Sequence, residues 1–207
     1  MAENLAHGKV CIGFAAPYVA LYNNAGGTVT YSQGRRLARG VDVSIDVESA
    51  DDNVFYADNI AAENVPGIFT SGTLGLTVDG LLIEAEQMIM GMPAPETVSA
   101  GGNNSVEVYA FGDAMAVPYV GIGFVIKYMS NGQELYTPVM LTKTRFSTPS
   151  TEAATQGETI EWQTQSLEAA IMRDDTAAHN WKKVGADQTT EEAAEAVVKA
   201  LLNIAEG

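Results

Sequence analysis

The chain has 207 residues, 46% of them hydrophobic, which is enough to bury a sizeable core and excludes disorder throughout. Its 11 Lys and Arg stand against 26 Asp and Glu, and the net charge of −15 excludes a tight electrostatic grip on nucleic-acid backbone. One cysteine rules out an internal disulfide, and no run approaches the ~20 apolar residues that span a bilayer.

The N-terminus MAENLAHGKV lacks an uninterrupted apolar signal region, so the expectation is a soluble chain made in a cytoplasm. From Gly8 to Asn23 two short strands are expected, KVCIGF and YVALYN, broken at Ala15, Ala16 and Pro17, with Cys11 as a buried structural thiol. NNAGG turns the chain into TVTY, a further strand. Next comes SQGRRLARG, where Arg35, Arg36 and Arg39 read as a solvated turn or as a docking point for an acidic neighbour.

Val41 to Glu48 is the cleanest alternation in the chain. Val41, Val43, Ile45 and Val47 fall on one face of a strand, and Asp42, Ser44, Asp46 and Glu48 on the other. VFYAD and NIAAENV continue the strand-and-turn pattern, and IFTSGTLGLTV is a glycine-interrupted strand. A helix follows, capped by Asp79, with Leu81, Ala85, Met88, Ile89 and Met92 at helical spacing and Gly91 and Pro93 as its stop. Met88, Met90 and Met92 read as gap-filling core.

Residues 93–113, with GGNN at their centre, read as a flexible loop carrying a short strand at Val106 to Tyr109. VPYVGIGFVIKY is apolar on both strand faces and so is central, and Asn131-Gly132 closes a hairpin into Glu134. From Leu135 to Met172 two alternating arms flank STPSTEAATQGE, the second beginning at Thr159 and including Trp162. A dozen residues are long for a hairpin connection, which usually takes ~2–5. Finally, Thr189 and Glu192 suggest a capping box that opens a helix with Ala193, Ala196, Val197, Ala200, Leu201 and Ile204 as its apolar stripe.

Catalytic patterns are missing. The chain has no phosphate-binding GxxxxGK, no GxGxxG between strand and helix, no GxSxG, no HExxH and no paired cysteines. His7 lies in the N-terminal tail and His179 in a polar loop, and Asp51-Asp52 and Asp174-Asp175 sit in turns where solvated charge is the ordinary case. No catalytic, cofactor-binding or metal-binding residues are expected.

Several stretches, taken in order, resemble the major tail protein family of long-tailed, non-contractile bacteriophages, the siphophage tail-tube subunit. They are Tyr56 to Asp58, TSGTLGLTVDGL, the run YVGIGFVIKYMSNGQELYTPVMLTKTRFSTPSTEAATQGETIEWQT, and the closing DQTTEEAAEAVVKAL. The resemblance extends from Lys9 to Leu202. Its most specific piece is RFSTPSTEAATQGETIEWQT, although Thr151 stands where the family carries an acid directly after the serine.

The resemblance implies a mainly β fold with flanking α: a tail-tube-type β-sandwich or barrel with one central and one C-terminal helix, whose hairpins contribute to an oligomeric β-barrel. It implies one domain over residues 1–207, with an N-terminal arm at 1–8 and an inter-subunit arm at 147–157. Homohexameric rings would stack into a virion tail tube. Partners implied are a tape measure protein, a tail terminator and distal tail proteins, with viral DNA passing unbound through the lumen and no membrane.

Within that picture Asp42, Asp46 and Glu48 are the candidate lumen-facing acids. Thr148, Pro149, Ser150, Thr151, Glu152, Gln156 and Gly157 are the candidate inter-subunit arm. The alternative is a monomeric immunoglobulin-like or carbohydrate-binding decoration module, which predicts aromatic residues gathered on one exposed face. An enzyme or small-ligand barrel would need a convergent polar set that the sequence does not offer.

Overall fold

A computed structural model of the chain describes residues 8–102, 104–151, 153, 155 and 162–205. It is mainly β with two helices. The principal sheet takes the order β2 (Thr28–Arg36), β1 (Val10–Ala25), β9 (Val120–Ser130), β10 (Gln133–Phe146), β11 (Gln165–Met172), β6 (Phe69–Val78), β3 (Gly40–Ser49), and every neighbouring pair is antiparallel. A short strand, β12 (Lys182–Val184), adds to β10. The sheet is open, with β2 and β3 as its two edges.

β9 is the central strand its two apolar faces require: Val120, Ile122, Phe124 and Val125 are buried, and β1 and β10 flank it. Its turn is the expected one, since Asn131 and Gly132 both adopt positive φ, the backbone that closes a two-residue hairpin without splaying its strands. Two clusters sit on opposite faces of this sheet. Phe124, Val139, Leu141, Leu74, Leu76 and Ile171 pack under α1 (Ile83–Met90), whereas Val125, Met140, Ala20 and Tyr31 pack under α2 (Glu191–Leu201).

Both helices stand where the apolar periodicity put them, but their caps differ. The N-cap of α1 is Leu82, with no side-chain cap; Asp79 instead accepts from the Arg39 backbone N–H at 2.9 Å and from its guanidinium. In α2 the cap is Thr190, whose Oγ1 accepts from Ala193 N at 3.2 Å, so the expected Thr189–Glu192 box does not form. The buried stripe of α2 is Ala194, Val198 and Leu202, one residue along from the expected set, with Ala200 exposed. Ala193 and Val197 flank that stripe, because a one-residue step rotates the buried face by only ~100°.

Other expectations are corrected by tertiary pairing. The two short N-terminal strands are one strand, β1, carrying irregularities at Cys11/Gly13 and Ala15/Tyr18, where Ala16 takes φ 53°. A bulge absorbs the AAP interruption without ending the ladder. Cys11 is exposed, not buried, because the first half of β1 pairs only with β9. The loop at 93–113 holds a hairpin of β7 (Glu96–Ser99) and β8 (Ser105–Val108), and VFYAD and NIAAENV form another from β4 (Asn53–Ala57) and β5 (Ile60–Val65).

Gly91 ends α1 in the left-handed region at φ 60°, with Met92 N donating to Gln87 O at 3.0 Å. A Cβ there would lie 2.0 Å from the Ala116 carbonyl oxygen. Gly91→Ala is therefore expected to cost about 2–5 kcal/mol, the sum of left-handed strain and overpacking, read as a fall in the denaturation midpoint.

Candidate functional site

The acidic alternation at Asp42 to Glu48 becomes one edge of a polar face. Val43 and Ile45 pack toward the α1-side core, so Asp42, Ser44, Asp46 and Glu48 emerge on the opposite side and all four are exposed. Cross-strand register carries the same character inward: Asp42 lies opposite Thr77 and then Ser166, Ser44 opposite Gly75 and then Glu168, and Asp46 opposite Thr73, then Ala170, then Arg145. Ser71 Oγ donates to Glu48 Oε2 at 2.8 Å and Thr70 Oγ1 to Glu48 O at 3.1 Å, which holds the end of the strand.

Four carboxylates therefore share this face with two cations, Arg145 and, two residues earlier on β10, the half-buried Lys143, with small hydroxyls between them. They are spread along the strands and not converged. Among the described residues no group of three or more His, Cys, Asp or Glu is placed to hold a metal ion. The face is anionic, shallow and wet.

The arm begins on this face. Ser147 N donates to Glu168 O at 2.8 Å, which turns the chain off the end of β10. Ser147, Thr148, Pro149 and Ser150 then form one wall of an open groove of about 580 Å³ whose floor includes Asp42, Asp46, Thr73, Thr77 and Glu168. Thr148, Ser150 and Thr151 are exposed and Pro149 half-buried. The candidate arm residues Glu152, Gln156 and Gly157 lie outside the described residues, as does His7. β11 begins at Gln165, and Trp162 stands outside any strand at 86% exposure; Thr159, where the second arm was expected to begin, lies outside the described residues.

Two features carried no signal in the one-dimensional pattern. The β4–β5 hairpin forms its own two-stranded sheet, and its register places Phe55, Ile60 and Val65 on one face at 63%, 68% and 64% exposure. Alternation named these residues strand but not what covers them. The arginines of SQGRRLARG are not a turn either: Arg35 and Arg36 belong to the edge strand β2, followed by buried Leu37 and Ala38. Arg35 Nη1 donates to Glu84 O at 3.1 Å, its Nε is buried without a partner, and neither arginine joins an ion pair among the described residues.

Next to the polar face the loop after β11 is tied down by a charged network. The Lys143 ammonium and the Tyr22 hydroxyl both donate to Asp175 Oδ2 at 2.8 Å, and Lys143 also lies over the Tyr22 and Tyr119 rings. The bond from Lys143, then that from Tyr22, holds the Asp175 carboxyl below its usual range, while burial, then the hydrogen bond to the Asp175 carboxylate, pushes Tyr22 up to about 12. A depressed folded value means that this stabilisation is present above the unfolded carboxyl value of ~3.9 and is lost as pH falls through the folded one. Asp175→Asn should flatten that acid limb of a stability-versus-pH curve. At neutral pH, with Asp175 at 38% side-chain exposure, it should cost no more than about 1 kcal/mol.

Buried Asp174 does a related structural job, accepting from Thr176 Oγ1 at 2.6 Å and Asn180 N at 3.0 Å, and His179 takes its positive φ within this loop. Trp181 is stacked on Phe69 at 4.9 Å and packs, half-buried, against the α1-side core. No family model matches this chain, and no curated protein sequence matches it significantly.

Proposed function

We propose that the chain is the tail-tube subunit of a long-tailed, non-contractile phage: a structural virion protein, made in the bacterial cytoplasm, whose rings of six copies stack into a conduit for viral DNA. The observation that carries this reading is the polar face of β3, β6 and β11, where a core-backed sheet presents four carboxylates and several hydroxyls against Arg145 and Lys143. A wall that conducts DNA has to avoid holding it, because every phosphate captured by Lys or Arg releases counterions and retains the strand. Asp42, Asp46 and Glu48, with Glu168 beside them, would line the lumen and repel the backbone.

The openness of the sheet fits the same reading. Among the described residues no barrel closes within one chain, so a tail-tube barrel would arise only between copies, across edges such as β2 and β3. The exposed apolar face of β4–β5 and the arm leaving at Ser147 supply further surface for contacts within or between rings. Tape measure, terminator and distal tail proteins would meet the tube at its bore and its ends. The decoration-module reading needs an aromatic platform, and Trp181 is already engaged with Phe69.

Negative-stain electron microscopy of the purified chain tests the proposal. Rings or tubes with a central hole are expected. Featureless small particles at high concentration would count against the tube, and rings with Asp42, Asp46 and Glu48 on the outer surface would remove the lumen assignment.

A further inference from the structure

We infer that the recess between β2 and α1 is a binding site for a carboxylate carried on a short apolar stem, with the Arg35 guanidinium as its charge partner. The inference goes beyond the tail-tube reading and does not rest on it.

The recess lies beside a local distortion of β2. The register between β1 and β2 shifts between Val19 and Leu21, and on the other strand Gln33 takes φ 54°, so β2 is bulged at Gln33 and Gly34. Left-handed backbone is costly for a glutamine, and strained positions of this kind gather at ligand sites. Next to the bulge a cavity of about 330 Å³ opens, with Gln33, Arg35 and Glu84 at its rim and Leu21, Met88 and Met92 beneath them.

Arg35 is the group that defines the ligand. It pairs in register with Val19, a member of the α1-side core, so its half-buried side chain lies on that side of the sheet. Its Nη1 donates to Glu84 O at 3.1 Å, but its Nε is buried with no hydrogen-bond partner, and the guanidinium joins no ion pair among the described residues. A buried donor left unmade carries its full desolvation cost, and a charged one more, which an anionic acceptor would offset. With 26 Asp and Glu against 11 Lys and Arg, internal acceptors are plentiful in this chain, yet Arg35 is paired with none of those described.

Two further features narrow the class of anion. Glu84 is exposed on the same rim, so a dianion such as phosphate meets a carboxylate there, whereas a monocarboxylate meets half that repulsion. Below the rim Met88 and Met92 are buried, and their flexible thioethers adapt readily to an alkyl chain. The volume is at the low end of the ~300–1,000 Å³ usual for ligand sites, which suits a stem of about five carbons.

Hexanoate titrated into the full-length chain tests the site, with binding read from the ligand by saturation-transfer NMR, which works whether the chain is monomeric or assembled. Saturable binding with a Kd of about 1 mM is expected. Hexanamide, of the same shape but uncharged, should bind at least about tenfold more weakly. Excess inorganic phosphate should leave hexanoate bound. Arg35→Met, which keeps an apolar stem without the charge, should also lose at least about tenfold, while Arg36→Met, on the other side of the sheet opposite Tyr18, should stay within about twofold of the original chain. Circular dichroism confirms the fold of each variant, and the hexanoate-to-hexanamide ratio decides the matter on the original chain even if Arg35→Met does not fold. An acetylated tripeptide ending in leucine separates the two sources of such a group. At least tenfold tighter binding than hexanoate assigns the carboxylate to the end of a polypeptide; equal or weaker binding assigns it to a free aliphatic acid. No saturable signal at about 20 mM, equal binding of hexanamide, displacement by phosphate, or undiminished binding to folded Arg35→Met overturns the site and leaves the tube reading standing.

Discussion

Deleting Thr148 to Gln156 is expected to leave a folded, soluble chain that no longer forms tubes. The described part of the arm contributes little to its own subunit. Ser147 is bonded to Glu168, but beyond it Thr148, Ser150 and Thr151 are exposed, and the groove they border is open. The deletion leaves Gly157 to Thr164 to join the ends of β10 and β11, and loop-closure entropy changes by less than about 1 kcal/mol when a connection is halved. The monomer melting temperature should therefore shift by only a few degrees, whereas the concentration required for assembly should rise at least ~100-fold if the arm supplies an inter-subunit contact worth about 3 kcal/mol. Tubes of normal length from this variant would remove the arm from assembly.

Phe124→Ala should produce the largest loss in the stability of the single chain, about 3–5 kcal/mol. Phe124 is fully buried at the centre of β9, between β1 and β10, and meets Phe14 edge to face with ring centroids 5.4 Å apart. Phe14 in turn packs on Gly40, where a Cβ would lie 2.1 Å from the ring, so the aromatic pair joins the first half of β1 to the start of the edge strand β3. Truncation leaves a cavity that neither element can fill by a small movement, because both are held in ladders. Set against a typical stability of ~5–15 kcal/mol, a loss of this size is a large fraction of the whole and is readily seen in a denaturant titration. A change below about 1 kcal/mol would mean that the sheet relaxes around the site far more than its close packing implies.

Much of the fold is legible in one dimension because period and turn chemistry are local. VPYVGIGFVIKY, Asn131-Gly132, the Val41 to Glu48 alternation and the Leu81 to Met92 spacing each rest on contacts within a few residues, and each corresponds to an element at the expected place. The exceptions are ones in which a neighbour overrides the local text. Thr190 replaces Thr189 as cap, and Ala194, Val198 and Leu202 replace the expected stripe, because the docking angle of α2 on β9 and β10 selects which of two adjacent rows is buried. Trp162 falls outside the strands because the pairing with β6 begins only at Gln165.

The candidate site divides along the same line. Alternation alone put Asp42, Asp46 and Glu48 on one side of a strand, because the side-chain period of a strand is two whatever it pairs with. Which residues would extend that side could not be read from the strand itself. Glu168, Thr73, Thr77, Ser166 and Arg145 join it through the registers of β6, β11 and β10, drawn from positions separated by up to about a hundred residues in the chain. Likewise the basic text at Arg35 and Arg36 named its charge, and only the edge position of β2 leaves those side chains beside an unpaired ladder. Composition and period determined a mainly β, acidic chain with two amphipathic helices; long-range strand pairing decided which edges stay open and which charges share a face, since register is a property of two segments and is written in neither alone.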